Sequence, residues 1–383
     1  MFRSCIILIL VCFSFSTNID SLTLPSDISA LKSFKSTINP KTIPSSSCIA
    51  SWDFSVDPCS LPRRTHFVCG ITCNPDSTRV TALVLDPAGY SAIISPAIFQ
   101  LTQLAHLDLS DNSFHGSLSD SLGSLINLET LTLRFNSLTG SLPDSLSKLS
   151  SLVSLDISHN ALTGSLPPTV ASLTNLRTMD LSFNKLTGAI PKLPLNLAEL
   201  ALKSNYLSGS LYQTSFQQLS KLEVVELSDN MLTGVLKDWF FLLPALQQVD
   251  LANNSFTGVE ILKLKNKYNE LVAVDLGFNK FNGYLPVNFA VFPILASLSL
   301  RYNRFKGQIP WQYGNMSSIK RLFLDGNFLN GKVPSGLLSN DGAISGSLGD
   351  NCLDSCPASS RLCLPLQKPS KTCKEAYGTR PKP

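Results

Sequence analysis

The chain has 383 residues, of which 44% are hydrophobic and 15% are charged, so it can bury a large core and is not disordered overall. Its formal net charge is +4, and residues 361–383 alone contribute +5, which leaves residues 1–360 with a net charge of −1. A near-neutral body argues against a nucleic-acid-binding protein, which would need a basic face.

Residues 1–21 are typical of a secretory signal peptide. Arg3 precedes an apolar run from Ile6 to Phe15, and small and polar residues follow up to Ser21. The apolar run is shorter than the roughly 20 residues that cross a bilayer, and no later segment is long enough. We therefore expect a secreted, extracellular protein without a transmembrane segment of its own.

Eight cysteines follow the signal peptide, in two groups of four. The groups are Cys48, Cys59, Cys69 and Cys73, and Cys352, Cys356, Cys363 and Cys373. Even clusters in an exported chain predict disulfide bonds, and each group allows three pairings that the sequence does not separate. The oxidising compartment argues against a zinc site, and we expect no bound metal.

An asparagine recurs every 21 to 25 residues along most of the chain. Two residues after it stands Leu or Phe, four residues after it stands Gly, and an L-x-L pair or a near equivalent precedes it. The asparagines are Asn112, Asn136, Asn160, Asn184, Asn205, Asn230, Asn254, Asn279, Asn303 and Asn327. An earlier copy with Leu83 and Leu85 has Ala88 in place of the asparagine, so the sequence predicts eleven repeats.

Each repeated position has a physical role. The L-x-L segment predicts a short strand with inward leucines, whose apolar face is covered only when neighbouring repeats stack on it. Where the chain leaves the strand, an inward asparagine amide can satisfy buried backbone donors and acceptors. The glycine permits a tight turn that a Cβ would obstruct. The predicted fold is therefore a solenoid with one continuous core and one long sheet.

The unit L-A-H-L-D-L-S-D-N-S-F-H-G-S-L from Leu104 to Leu118 resembles the plant-specific leucine-rich repeat of receptor kinases, receptor-like proteins and polygalacturonase-inhibiting proteins. The resemblance implies an α/β solenoid, namely a right-handed leucine-rich-repeat horseshoe of about eleven plant-type repeats with the strands on its concave face. It also implies disulfide-bonded caps at both ends. The implied domains are an N-terminal cysteine cap over residues 22–79, the solenoid over 80–338, and a C-terminal cysteine cap with a basic tail over 339–383.

Both ends of the chain resemble the caps of these families. Asp27–Lys35 resembles the helix of the N-terminal cap, and Gly70-Ile71-Thr72-Cys73 resembles the segment that closes it. Cys48 and Cys69 resemble an added pair beyond the usual cysteines. Asn351-Cys352-Leu353 resembles the start of the C-terminal cap.

Two columns of residues are candidates for a ligand-binding surface. The position between the paired leucines is acidic in six repeats, and several repeats carry an aromatic ring, or an arginine beside one, just before the asparagine. The candidate residues are Arg134, Phe135, Phe183, Asp250, Asp275, Phe278, Arg301 and Tyr302. An acidic column can hold a basic ligand or remain a solvated row. The aromatic residues can form binding hot spots or merely cover the strands.

The middle repeats depart from the pattern. The Leu-Pro step, or a near equivalent, that follows the glycine in six repeats is missing in three consecutive repeats within residues 209–263. This departure allows a distinct lateral face with Trp239, Phe240 and Phe241 available on it, although drift in a tolerant loop is the simpler interpretation.

Two N-glycosylation sequons occur in registers that the repeat exposes to solvent. They are Asn253-Asn254-Ser255 and Asn315-Met316-Ser317. We expect Asn253 and Asn315 to carry glycans if the chain is exported.

No catalytic pattern is recognisable, so we expect neither enzyme activity nor a cofactor. The four histidines stand without a nucleophile in register, and no phosphate-binding loop is present. The favoured hypothesis is a receptor-like protein of the cell wall or the outer face of the plasma membrane. Its concave or lateral face would recognise a peptide, a glycan or a partner ectodomain such as that of a receptor kinase, and it would act in cell-surface signalling.

Two other functions stay open. One is an inhibitor of secreted cell-wall hydrolases, similar to the polygalacturonase-inhibiting proteins. The other is a wall-structural role in which the basic tail from Gln367 to Pro383 contacts anionic pectin.

Overall fold

The structure is a computed structural model of the chain, and it describes residues 23–59, 70–261, 269–339, 342–357 and 359–378. The expected signal peptide, Cys69 and the end of the basic tail lie outside the described residues. The described parts form successive turns of a solenoid, and each turn adds one strand to a long sheet.

A sheet of thirteen strands, which we call the main sheet, runs along the described part of the solenoid. Its strands are β1 (Gly70–Cys73), β2 (Val80–Val84), β3 (His106–Asp108), β4 (Thr130–Thr132), β5 (Ser154–Asp156), β6 (Thr178–Asp180), β7 (Glu199–Ala201), β8 (Val224–Glu226), β9 (Gln248–Asp250), β10 (Ala273–Asp275), β11 (Ser297–Ser299), β12 (Arg321–Phe323) and β13 (Ser345–Ser347). β1 is antiparallel to β2, and each later strand is parallel to the strand before it.

Most strands of the main sheet turn their middle residue into the core. Leu107, Leu131, Leu155 and Leu200 are at most 1% exposed, while their neighbours on the strand face outward. These leucines belong to one hydrophobic cluster that continues through the repeats. Burying a leucine side chain stabilises the fold by about 1.5–3 kcal/mol, but only when the next turn covers it, so each repeat depends on its neighbours.

Short helices and short strands return the chain on the other sides of each turn. The helices are α1 (Pro25–Thr37), α2 (Cys48–Ser51), α3 (Gln213–Phe216), α4 (Asp238–Phe241), α5 (Ser335–Ser339) and α6 (Ser370–Tyr377), with 3-10 helices at Pro40–Thr42, Pro96–Gln100, Asp120–Ser124, Asp144–Lys148, Pro168–Ser172, Val287–Val291, Trp311–Asn315 and Arg361–Cys363. The lateral strands are His115–Ser117, Ser137–Thr139, Thr187–Gly188, Tyr206–Gly209, Met231–Leu236, Ser255–Val259, Asn282–Tyr284, Arg304–Gln308, Phe328–Lys332 and Cys352–Ser355. This arrangement confirms the predicted α/β leucine-rich-repeat solenoid. Among the described residues, no helix has the length and apolarity needed to cross a membrane.

The repeated asparagines join consecutive turns, which confirms their predicted role. The Oδ1 atom of Asn279 accepts a hydrogen bond from the backbone N–H of Phe256 in the preceding turn at 3.0 Å. Its Nδ2 atom donates to the carbonyl of Leu251 in that turn at 2.9 Å and to the carbonyl of Gly277 in its own turn at 3.0 Å. The residue just before it, Phe278, has a φ of 54°, in the left-handed region.

One more asparagine turn exists than the sequence predicts. Asn351 follows β13, accepts a hydrogen bond from the N–H of Leu329 at 3.0 Å and donates to the carbonyl of Leu324 at 3.0 Å. Twelve parallel strands, β2 to β13, therefore follow β1, whereas the sequence predicts eleven repeats. The inward leucine of this turn is replaced by Gly346, where a Cβ would lie 1.8 Å from the Leu322 carbonyl oxygen.

The N-terminal cap is fixed to the solenoid by a buried ion pair. Asp27 of α1 is fully buried, pairs with Arg79 at 3.0 Å and accepts a hydrogen bond from the N–H of Val80 at 3.0 Å. A disulfide bond joins Cys59 and Cys73, and Cys48 is also disulfide-bonded.

Disulfide bonds also close the C-terminal cap. They join Cys352 to Cys373 and Cys356 to Cys363, which resolves the pairing that the sequence leaves open. The hydroxyl of Tyr377 at the end of α6 donates to the carbonyl of Phe328 at 2.6 Å, so this helix packs on the lateral strands. The prediction of disulfide-bonded caps is confirmed.

The middle repeats have a distinct lateral structure, but two of the three aromatic residues named for it are buried. These repeats lack the proline of the Leu-Pro step, and proline has no N–H group to donate to a neighbouring strand. The lateral strands Met231–Leu236 and Ser255–Val259 therefore pair along most of their length. Phe240 and Phe241 of α4 are fully buried, and Trp239 packs half-buried against the core. Helix α4 turns Phe240 and Phe241 toward the core, so these two rings are not available for binding, whereas Trp239 remains partly exposed.

We expect Asn279→Ala to lower the free energy of unfolding by about 2–5 kcal/mol, because the N–H of Phe256 and the carbonyl of Leu251 lose a buried partner. The matched control is Asn282→Ala, which removes an exposed amide that donates to the carbonyl of Thr257 and should cost less than about 1 kcal/mol. Guanidinium denaturation followed by circular dichroism measures both values. Equal losses for the two variants would contradict the role of the buried asparagines.

Candidate ligand-binding face

The parallel register places six outward carboxylates in one column, which is interrupted by Thr132 and by Ala201. The acidic column consists of Asp108, Asp156, Asp180, Glu226, Asp250 and Asp275. Glu226, Asp250 and Asp275 stand on the three consecutive strands β8, β9 and β10. Because parallel strands lie about 4.8 Å apart, these three carboxylates form a compact negative patch on the open face of the main sheet.

The carboxylates of the column are not equivalent. Asp250 accepts a hydrogen bond from the backbone N–H of Ala252 at 3.1 Å, and Asp275 accepts one from Gly277 at 2.8 Å, so these aspartates also hold the turn after the strand. Glu226 has no hydrogen-bond or ion-pair partner among the described residues. Burial raises the pKa of its carboxyl group, and the neighbouring Asp250 carboxylate raises it further.

Two adjoining depressions cross the open face of β5 to β12, and together we call them the trough. Its first half is acidic and is lined by Asp156, Asp180, Glu199 and Glu226. Its second half passes from Glu226 over Asp250 and Asp275 to a basic and aromatic end, which is lined by Ser299, Arg301, Arg321 and Phe323. The two halves share Val224 and Glu226, so an extended ligand can lie across both.

Arg301 brings aromatic rings together at the basic end of the trough. Its guanidinium carbon lies 5.1 Å from the centroid of the Phe278 ring and 5.5 Å from that of Phe323, within the range of a cation–π contact. The Phe278 ring stacks on Tyr302 with a centroid distance of 4.7 Å. Three of the candidate residues therefore form one cluster, which Phe323 completes.

Three polar atoms in the same region are buried without a partner. They are Ser299 Oγ, Arg301 Nε and Asp325 Oδ1, none of which has a hydrogen-bond partner in the part of the chain that the structure describes. Burial raises the pKa of the Asp325 carboxyl group. An unsatisfied buried polar atom costs about 1–3 kcal/mol, so a bound group that both donates and accepts hydrogen bonds would be stabilised here.

A second aromatic stack lies several turns away. The ring of His159 packs between Phe135 and Phe183, with centroid distances of 4.0 Å and 4.2 Å. All three residues have a positive φ and directly precede one of the repeated asparagines. Arg134 lies beside this stack and makes a loose, exposed ion pair with Asp111 at 3.9 Å.

The sequence interpretation missed part of both clusters. It selects none of His159, Ser299 and Phe323 as a candidate. Their positions in the repeat could have identified them. His159 stands just before one of the repeated asparagines, and Ser299 and Phe323 continue the acidic column on the next two strands.

The two sequons lie in different places. Asn253 is exposed at the edge of the trough, and its Nδ2 atom donates to Asp229 Oδ1 at 2.7 Å. Asn315 is exposed at the end of the 3-10 helix Trp311–Asn315. Glycosylation at either position remains a prediction.

Comparison with known sequences agrees with the fold. A family model for the leucine rich repeat matches residues 102–162, 126–186 and 196–256. The chain is 37% identical over 94 residues to receptor like protein 27 of Arabidopsis thaliana, which covers 24% of this chain and 11% of that protein. It is 33% identical over 92 residues to receptor-like protein 7 of the same plant, which covers 24% of this chain and 9% of that protein. The aligned segments thus span about a tenth of these relatives.

Solved structures align over a much larger part of the chain. The structure of PEPR1–AtPEP1 has a TM-score of 0.71 and 30% identity, covering 86% of this chain and 49% of that one. The ectodomain of the Arabidopsis thaliana receptor kinase GASSHO1/SCHENGEN3, in complex with CASPARIAN STRIP INTEGRITY FACTOR 2, has a TM-score of 0.63 and 27% identity, covering 86% and 44%. The HAESA ectodomain with an IDA peptide hormone has a TM-score of 0.51 and 25% identity, covering 85% and 61%. In sequence and in fold, the chain is therefore similar to plant extracellular leucine-rich-repeat proteins.

Proposed function

We propose that the chain is an extracellular receptor-like protein that binds an extended peptide in the trough and signals through a membrane-bound partner. The observation that carries the proposal is the length of the trough, whose two halves adjoin at Val224 and Glu226. From β5 to β12 it crosses seven strand intervals, or about 34 Å at the usual strand spacing. An extended peptide of about ten residues covers this distance.

The lining of the trough favours a peptide. It offers carboxylates, an arginine held between aromatic rings, and unpartnered buried polar atoms, which together complement charged side chains and backbone amides. Its aromatic and arginine residues are of the types that dominate binding energy at interfaces.

The comparisons support the same proposal by analogy. The HAESA ectodomain, which aligns with 85% of this chain, is described in complex with a peptide hormone ligand. The sequence relatives are receptor-like proteins of which the chain spans only a small part. A function in signalling is therefore our proposal for this chain and is not inherited from them.

We expect Ala273→Arg to weaken peptide binding by about tenfold or more, because the new side chain projects from β10 into the trough. The control is Ala171→Arg on the 3-10 helix Pro168–Ser172, away from the main sheet, which should bind as the unmodified chain does. Displayed twelve-residue peptides are selected on the unmodified chain, and calorimetry then compares the three proteins. Equal binding by both variants, or no selected peptide, would overturn the proposal.

Tyr302 and Tyr284 provide a second matched pair. Tyr302 stacks on Phe278 at the basic end of the trough, whereas Tyr284 is 79% exposed on a lateral strand. We expect Tyr302→Ala to weaken binding of a selected peptide by about 5- to 30-fold and Tyr284→Ala to leave it unchanged. Thermal unfolding of both variants checks that they fold. A larger effect at Tyr284 would place the ligand on the lateral strands instead.

A further inference from the structure

We infer that the peptide carries a basic side chain over β8 to β10, held by Glu226, Asp250 and Asp275, and that its neighbouring backbone bonds the hydroxyl of Ser299. This inference rests on the proposed function, because it names the chemistry of the ligand that the trough takes.

The three carboxylates form no ion pair with any described residue, although Lys203 lies close enough to Glu226 to lower its pKa. The ion pairs of the described residues lie elsewhere, and the nearby Lys203 is directed to Asp229 at 3.9 Å. The pKa of the Glu226 carboxyl group is raised nevertheless, because burial and the Asp250 carboxylate oppose its ionised form more than Lys203 favours it. A lysine or arginine side chain placed between these strands would offset that repulsion.

The hydroxyl of Ser299 is an independent sign of a bound group. Ser299 lies directly beside Asp275 in the register of β10 and β11, lines the trough and is only 5% exposed. Its Oγ atom has no hydrogen-bond partner among the described residues, although most buried hydroxyl groups have one. A peptide amide group at this point can donate to it or accept from it.

The rest of the trough confines the basic side chain to this patch. Arg301 and Arg321 line the end beyond Ser299 and repel a cation there. In the other direction, Asp156 and Asp180 accept hydrogen bonds from the hydroxyl groups of the serines two residues after them. Glu226 and Asp275 accept no side-chain hydrogen bond from the described residues, so they have the most to gain from a basic ligand.

The test begins with the composition of selected peptides. Twelve-residue peptides selected on the full chain should be enriched in Lys or Arg at one aligned position. For such a peptide, we expect the double variant Glu226→Gln with Asp275→Asn to weaken binding by at least tenfold. The control is Asp120→Asn with Asp144→Asn, two exposed acids on 3-10 helices, which should have no effect.

Exchanging the charges of the protein and the peptide tests whether the basic side chain contacts Glu226 and Asp275 directly or responds only to the overall charge of the face. The variant Glu226→Lys with Asp275→Lys should bind the peptide whose basic residue is replaced by Glu better than it binds the original peptide. Ser299→Ala should weaken binding of the original peptide by about fivefold without changing its charge preference. Failure of the charge exchange would overturn the inference.

The outcomes distinguish this inference from the function on which it rests. If selected peptides bind and are blocked by Ala273→Arg, but carry no basic position and tolerate the Glu226 and Asp275 changes, the inference fails and the proposed function stands. If no peptide binds the full chain, both fail.

Discussion

The hydrogen bonds between each buried asparagine and the preceding turn are the constraint on which the rest of the structure depends. An amide that accepts from one backbone N–H and donates to carbonyls in two turns satisfies groups that neither strand nor solvent reaches. It can do so only when consecutive turns keep the same path. The inward leucines then stack into one core, and every strand stays in register with its neighbours.

That register is what creates a binding face. A residue that occurs once in each repeat becomes a column about 4.8 Å from its next copy, so Glu226, Asp250 and Asp275 become one negative patch although 49 residues separate the first from the last. The same geometry stacks His159 between two phenylalanine rings. Because the asparagines and leucines hold the backbone, the outward positions are free to carry the chemistry of recognition.

The sequence predicts the features that depend on periodicity. These include the solenoid, the asparagine contacts and the position of the acidic column, because each follows from a residue type at a fixed spacing. The last turn is missed because Gly346 stands where the repeat pattern requires an inward leucine. Periodicity also does not predict which side chains are buried by packing between repeats, as Phe240 and Phe241 are. The partnerless atoms at Ser299, Arg301 and Asp325 depend on the side chains of adjacent turns, which spacing alone does not specify.

The most direct test of the account is a crystal structure of the chain with a bound peptide selected by display. The account predicts continuous density for an extended peptide across β5 to β12, with a basic side chain between Glu226 and Asp275 and a backbone amide at Ser299. Density on the lateral strands or on the 3-10 helices, with the trough empty, would contradict it.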